Sequence, residues 1–208
     1  MSETVHIIDD DLSVQKGFAR VLEACGYAVR RYNSAGEFLL AMTEPIAGCI
    51  LLDMKMPGPT GLQLQSCLAK QGVSIPIIFV TGFADVPTTV PAMKAGAFDF
   101  LTKPVKRDDL VNSVKRALAF SSEQQEWMTE LKHARDRFAS LSERERQVFE
   151  GVIAGRLNKQ IAAELGTAER TVKAHRAHLM QKMGVNSVAE LVRLSDLMQF
   201  RAQSARVR

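Results

Sequence analysis

The stretch LLDMKMPGPTG, residues 51–61, decides the fold. The apolar run that enters it, Cys49–Leu52, is short, ends on Asp53, and is followed at once by Pro57, Gly58 and Pro59. A run of that length, bounded by turn residues, predicts a strand buried on both faces. Outward from it, similar runs recur at Val5–Ile8, Tyr27–Val29, Ile77–Val80 and Phe98–Leu101. Segments of helical length, such as Leu12–Cys25 and Leu62–Lys70, lie between them. Strand–helix alternation implies a parallel sheet covered by helices on both faces. The fold class expected for the first half is therefore α/β, a five-stranded doubly wound, flavodoxin-like sheet. Ligands of such sheets sit at the carboxyl ends of the strands. Here those ends carry Asp9, Asp10, Asp53, Thr81 and Lys103.

Several carboxylates in one crevice repel one another, and a cation is the expected remedy. Hard oxygen donors with open positions suit Mg²⁺. The ordinary explanation of an Asp-Asp pair is a helix cap. Asp11 can take that role for the helix that follows, which leaves Asp9 and Asp10 without a structural task. Lys103 offers a mobile point charge suited to a phosphoryl group. Pro104 after it invites a cis bond that turns the lysine inward. Thr81 supplies a hydroxyl.

From Arg107 to about Phe138 neither Pro nor Gly interrupts, and the segment predicts one long helix. Ala117, Phe120, Gln124, Trp127, Leu131, Ala134, Phe138 and Leu141 recur at alternating steps of three and four. That seam suits either a helix packed on its own domains or a dimerising coiled coil. Beyond Ser140 the pattern is wholly helical, with four helices separated by Gly155, Gly166 and Gly184. Ser142 and Glu145 form a capping box. Asn158 is expected to cap a short helix, Lys159–Leu165, and Thr167 a longer one, Ala168–Met183. A short helix, a glycine turn and a longer basic helix make a helix-turn-helix. On the longer helix Val172, Leu179 and Met183 share one face. Arg170, Lys173, Ala174, Ala177 and Gln181 share another, whose small alanines suit close approach to a major groove. Lys173 is placed to read guanine, and Ala174 or Ala177 a thymine methyl. Asn158, Lys159, Thr171 and Arg176 are expected to touch phosphates. His175 and His178, with no third ligand nearby, are expected to pack or face solvent.

Charge follows the same division. Residues 1–120 carry twelve basic and twelve acidic side chains, whereas residues 140–208 carry twelve basic against seven acidic. A polyanion partner is therefore expected at the C-terminal end. A hydrophobic fraction of 46% with 24% charged residues excludes disordered and fibrous classes. No stretch reaches the roughly 18 apolar residues of a spanning helix, so a membrane role is not expected and the cytoplasm is. Cys25, Cys49 and Cys67 lie in apolar contexts and are expected as buried free thiols.

The runs VHIIDDD, LLDMKMPGPTG, IIFVTGFAD and AMKAGAFDFLTKP together resemble a receiver domain of the FixJ/NarL family over residues 4–120. The resemblance implies that Asp53 is the phosphoryl acceptor, that Asp10 binds Mg²⁺ directly and Asp9 through water, and that the main-chain carbonyl of Lys55 completes the metal shell. It further implies that Thr81 and Lys103 receive the phosphoryl oxygens and that Phe100 is the switch aromatic. LSERERQVF, NKQIAAELG, TVKAH and QKMGV resemble the LuxR-type helix-turn-helix of that family. The long linker is similar to that of its StyR/TodT branch. Three parts are implied: receiver 1–120, helical linker 121–139 and DNA-binding domain 140–208. So are a sensor histidine kinase, double-stranded DNA with promoter half-sites, homodimer formation on phosphorylation, and RNA polymerase as partners. No catalysis is implied beyond phosphotransfer to Asp53. Pro91 departs from the family by standing inside the helix expected over Val86–Ala95, which must start late or bend. Two other readings stay open. One is a phosphohydrolase, although Lys55 stands where its acid belongs. The other is an interaction protein whose receiver dimerises without phosphate.

Overall fold

The structure, a computed structural model, describes residues 4–42, 46–82 and 86–204. The last three residues of the IIFVTGFAD run, 83–85, lie outside them. The chain divides into two compact units, Met1–Gln125 and Glu126–Arg208.

In the first unit five strands pair in parallel in the order β2-β1-β3-β4-β5: β1 Thr4–Ile8, β2 Ala28–Tyr32, β3 Cys49–Asp53, β4 Ile77–Thr81 and β5 Asp99–Thr102. Helices α1 Leu12–Ala24, α2 Ala35–Ala41, α3 Gly61–Lys70 and α4 Val86–Lys94 lie between successive strands. The doubly wound α/β fold expected from the strand runs is thus the one observed. The central β3 and β4 are buried at every position, which is why their sequences are unbroken apolar runs. The apolar run Tyr27–Val29 predicts the second strand there, but the strand runs Ala28–Tyr32. Arg30 and Arg31 belong to it because it is an edge strand with solvent on one side. One face of the sheet buries Ile8, Ile50, Leu52 and Phe79 against Phe38, Leu64 and Leu68. The other buries Ile7, Leu51 and Val80 against Leu22, Leu110 and Val114. Each such aliphatic or aromatic side chain contributes roughly 1.5–3 kcal/mol.

Local chemistry sets the helix starts. The Asp11 carboxylate accepts from the N–H groups of Ser13 and Val14 at 2.7 and 3.3 Å and caps α1, as its position suggested. Thr60 and Gln63 close a capping box on α3. Gly61 seats that helix: a Cβ there would lie 2.6 Å from the Asp53 carbonyl oxygen and 2.9 Å from the Phe79 ring. Helix α4 does not start late. It begins at Val86 and carries Pro91 inside it. The thiols depart from expectation. Cys49 is buried, but Cys25 ends α1 and is exposed, and Cys67 is half-buried. Amphipathic helices keep the residues off their core stripe wet, whatever their hydrophobicity.

The long helix α5 spans Arg107–Ala139, and the division between the units falls within it. Its seam is not uniform. Ala117, Leu131, Ala134 and Leu141 are buried by this chain's own atoms, whereas Phe120 is 46% exposed. The polar break at Gln124 pairs with the Ser74 hydroxyl at 3.2 Å.

The second unit adds α6 Glu143–Ile153, α7 Asn158–Glu164, α8 Glu169–Met183 and α9 Val188–Ser204. Gly155, Gly166 and Gly184 sit between them at φ +74°, +62° and +66°, a region that favours glycine. Their core joins Val148, Phe149, Ile161, Val172, Leu179 and Leu191. The capping box of Ser142 and Glu145 is present. Two expected caps are not. Leu157, not Asn158, is the N-cap of α7, and its N–H is satisfied by the Gln160 side chain at 2.8 Å. Ala168, not Thr167, is the N-cap of α8, with no side-chain cap bond. In each case a residue adjacent to the expected cap takes the extended backbone conformation that a cap requires.

Candidate acidic site and candidate nucleic-acid interface

Parallel register builds the acidic site. Ile8 pairs with Leu52, so the next residues, Asp9 and Asp53, leave adjacent strands side by side. Thr81 pairs with Thr102, and the N–H of Lys103 donates to the Thr81 carbonyl at 2.7 Å, which aligns the lysine with the same edge. The Lys103–Pro104 bond is cis. The Lys103 ammonium then spans the two acids, 2.7 Å from Asp9 Oδ2 and 2.8 Å from Asp53 Oδ1. The remaining oxygens are held by backbone. Asp9 Oδ1 accepts from the Asp11 N–H at 2.9 Å, and Asp53 Oδ2 from the Lys55 N–H at 2.7 Å. Asp9, Asp53 and Thr81 are buried, and Asp10 is exposed. Phe100 is half-buried, with its ring centroid 6.4 Å from that of Phe79. The structure therefore brings Asp9, Asp53 and Lys103 into contact, with Thr81 one strand away.

Burial pushes the Asp9 carboxyl up, and the hydrogen bonds from Lys103 and the Asp11 N–H only partly oppose it. Burial works to lower the Lys103 ammonium too, but its bonds to Asp53 and Asp9 prevail and hold it above the usual lysine value. Two carboxylates thus face one ammonium, and a further cation is electrostatically welcome. The donor set fits Mg²⁺: two carboxylate oxygens already converge on one cationic group. Among the described residues no three His, Cys, Asp or Glu side chains stand close enough to hold a metal by themselves. A magnesium ion here needs main-chain, water or phosphate oxygens, which is its usual habit.

Three contacts carry no signal in the motifs. Gln15, buried on α1, donates to the Asp9 carbonyl at 2.6 Å and to the Tyr32 carbonyl at 3.1 Å. His6 Nδ1 lies 3.1 Å from the Tyr32 hydroxyl, and burial lowers its imidazole below the ordinary value. Lys182 reaches Glu145 Oε2 at 2.7 Å. That bond and the Ser142 N–H hold Glu145 down at about 2. All three join common residues of different elements, and only the folded chain brings them together.

On α8, Val172, Leu179 and Met183 are buried and Arg170, Lys173, Ala174, Ala177 and Gln181 are exposed. Thr171 and Arg176 are half-buried, as is Asn158 on α7, while Lys159 is exposed. The Lys173 ammonium pairs with Glu169 one turn earlier, at 3.2 Å. Arg176 donates to the Asn158 side-chain oxygen at 3.0 Å, so the side chain expected as a cap instead ties α7 to α8. His175 is half-buried and His178 exposed. No helix among the described residues is long and apolar enough to cross a membrane.

Comparison with known proteins matches each part of the chain to a family. Residues 5–115 match the model of the response regulator receiver domain, and residues 139–195 that of the bacterial regulatory proteins of the luxR family. The chain is 41% identical over 192 residues to the response regulator protein TmoT of Ectopseudomonas mendocina, covering 92% of this chain and 87% of that one. It is 43% identical to the transcriptional regulatory protein FixJ of Azorhizobium caulinodans, covering 93% and 92%. A low-resolution structure of the response regulator StyR matches with a TM-score of 0.86 at 41% identity, covering 94% of this chain and 99% of that one. The chain belongs to the response regulators, as a transcriptional regulator that joins a receiver domain to a LuxR-type DNA-binding domain.

Proposed function

We propose that Asp53 accepts a phosphoryl group from a phosphohistidine of a sensor histidine kinase, and that this modification controls promoter binding by the C-terminal domain. The observation that carries the reading is the single Lys103 ammonium held between Asp9 and Asp53 at 2.7 and 2.8 Å. An Asp53 oxygen forms the new P–O bond while the P–N bond of the phosphohistidine breaks and its electron pair leaves with the imidazole. Lys103 turns from the carboxylates to the phosphoryl oxygens as charge spreads over them. Mg²⁺ would be held directly by Asp10, Asp53 and the Lys55 carbonyl and through water by Asp9, and would supply the remaining charge compensation. The product adds about −1.5 to −2 charge at the sheet edge. The Thr81 hydroxyl donates to it, and Phe100 follows into the space that Thr81 vacates.

The division of labour is receiver 1–120, helical linker 121–139 and DNA-binding domain 140–208. Asn158, Lys159, Thr171 and Arg176 hold phosphates, and Arg170, Lys173, Ala174 and Ala177 face the bases of a major groove. Phosphorylation favours a homodimer on paired half-sites roughly 34–36 Å apart, in reach of RNA polymerase and in the cytoplasm.

The decisive test is labelling with a small phosphodonor and Mg²⁺. Asp53→Asn should abolish it, and a label that persists on another residue sinks the assignment. For the DNA end, Lys173→Ala should relax base preference at one operator position by about 1–3 kcal/mol. Lys159→Ala should weaken binding to all sequences alike and flatten the salt slope by about 1. A gel-shift series with the two patterns exchanged overturns these roles.

A further inference from the structure

We infer that Gln15 is a positioning residue for the metal-binding carboxylates, a clamp that holds the carboxyl end of β1 in the geometry a divalent ion needs. This rests on the reading of Asp9 and Asp53 as the cation and phosphoryl site.

Gln15 is a polar side chain, 2% exposed, on the buried stripe of α1. Its Nε2 lies 2.6 Å from the Asp9 carbonyl, 3.1 Å from the Tyr32 carbonyl and 3.1 Å from Asn33 Oδ1. These acceptors belong to two strand ends. Ladder pairing between β1 and β2 closes with Ile8 opposite Tyr32. Beyond it one stretched bond remains, from the Asp9 N–H to the Tyr32 carbonyl at 3.3 Å. The sheet is starting to open where Asp9 must hold its place.

Gln15 takes over from the ladder at that point. It is anchored by α1, whose first turn is fixed by Asp11, and it draws the Asp9 and Tyr32 carbonyls together. Tyr32 is itself held, because its hydroxyl meets His6 Nδ1 at 3.1 Å. The Asn33 N–H donates to Glu37 Oε2 at 2.6 Å, which steadies the third acceptor. The clamp therefore acts on the main chain of Asp9 and leaves both its carboxylate oxygens free for other partners. Those oxygens are engaged by the Asp11 N–H and by Lys103. A carbonyl bond that fixes a ligand's backbone without consuming its donor atoms is the arrangement expected of a supporting residue. Loss of such support typically weakens metal affinity 10–100-fold.

The experiment is a calorimetric Mg²⁺ titration of the full chain, without phosphodonor, for the parent, Gln15→Leu and Gln15→Met. Both replacements fill similar space with no donor and add no charge. Both should raise the Mg²⁺ Kd at least tenfold. Phosphorylation by a small phosphodonor should then need at least tenfold more Mg²⁺ for half its maximal rate, while the rate at saturating Mg²⁺ stays within about twofold. A side chain of purely structural use would lower the thermal midpoint and leave that Mg²⁺ midpoint in place, which overturns the inference. Should Gln15→Leu fail to fold, Gln15→Met decides alone. A parent chain that binds Mg²⁺ but cannot be labelled at residue 53 defeats the proposed function. Parent and variants with equal Mg²⁺ Kd defeat only the clamp.

Discussion

Lys103 and Lys182 each reach a buried carboxylate at 2.7 Å, yet the two regions use that contact for opposite ends. In the receiver one ammonium serves two acids, and burial still keeps the Asp9 carboxyl above its ordinary value. In the DNA-binding unit Lys182 serves one acid, which also closes a capping box, and Glu145 falls to about 2. The first site carries unmet negative charge and is open to another cation. The second is complete in itself. Bond length alone does not separate a working site from a structural one; the ratio of charges and the backbone donors around them does.

The comparison breaks most visibly at Lys103. Lys103→Met leaves two neighbouring buried carboxylates and should lower stability by about 3 kcal/mol. Because the loss is one of cationic charge, millimolar Mg²⁺ should restore most of it, roughly 2.7 kcal/mol at one hundred times its Kd. Chemical denaturation with and without Mg²⁺ measures both. Lys182→Met should cost less, about 1 kcal/mol, since that lysine is 42% exposed and water can replace it. Mg²⁺ should not rescue it, and equal rescue at both positions would show that the two contacts do not differ in charge balance.

The smallest effect is one of pH. Glu145 has a folded value of about 2 against an ordinary 4.5. Its contribution is therefore fully present above about pH 4.5 and is lost as pH falls through about 2. Glu145→Gln keeps the capping geometry but removes the titration, so thermal midpoints of parent and variant should converge as the pH approaches 2. A constant offset between the two curves from pH 6 to pH 2 assigns the contact no charge.

How much of this was legible in the sequence follows from the range of each interaction. Asp9, Asp53, Thr81 and Lys103 could be placed because strand ends are marked by apolar runs and parallel register carries them to one edge. The helix-turn-helix could be placed because its glycines fix the turns. Caps are less legible. Asn158 looks like the cap of α7, but its oxygen is bound to Arg176 eighteen residues away, and Leu157 takes the cap position. Gln15 carries no sign of its role, because a glutamine on a helix reads as solvated until three acceptors from other elements surround it. The exposed Cys25 shows the converse: an apolar context in the chain does not fix which side of a helix end a side chain takes.

Gly61 has a consequence outside signalling chemistry. Any side chain at that position meets the Asp53 carbonyl and the Phe79 ring at once, one of them main chain that cannot rotate away. In a saturation survey scored by cell phenotype, residue 61 should rank among the least permissive positions, beside Asp53. A tolerance map would thus colour as active a position whose only duty is to be empty.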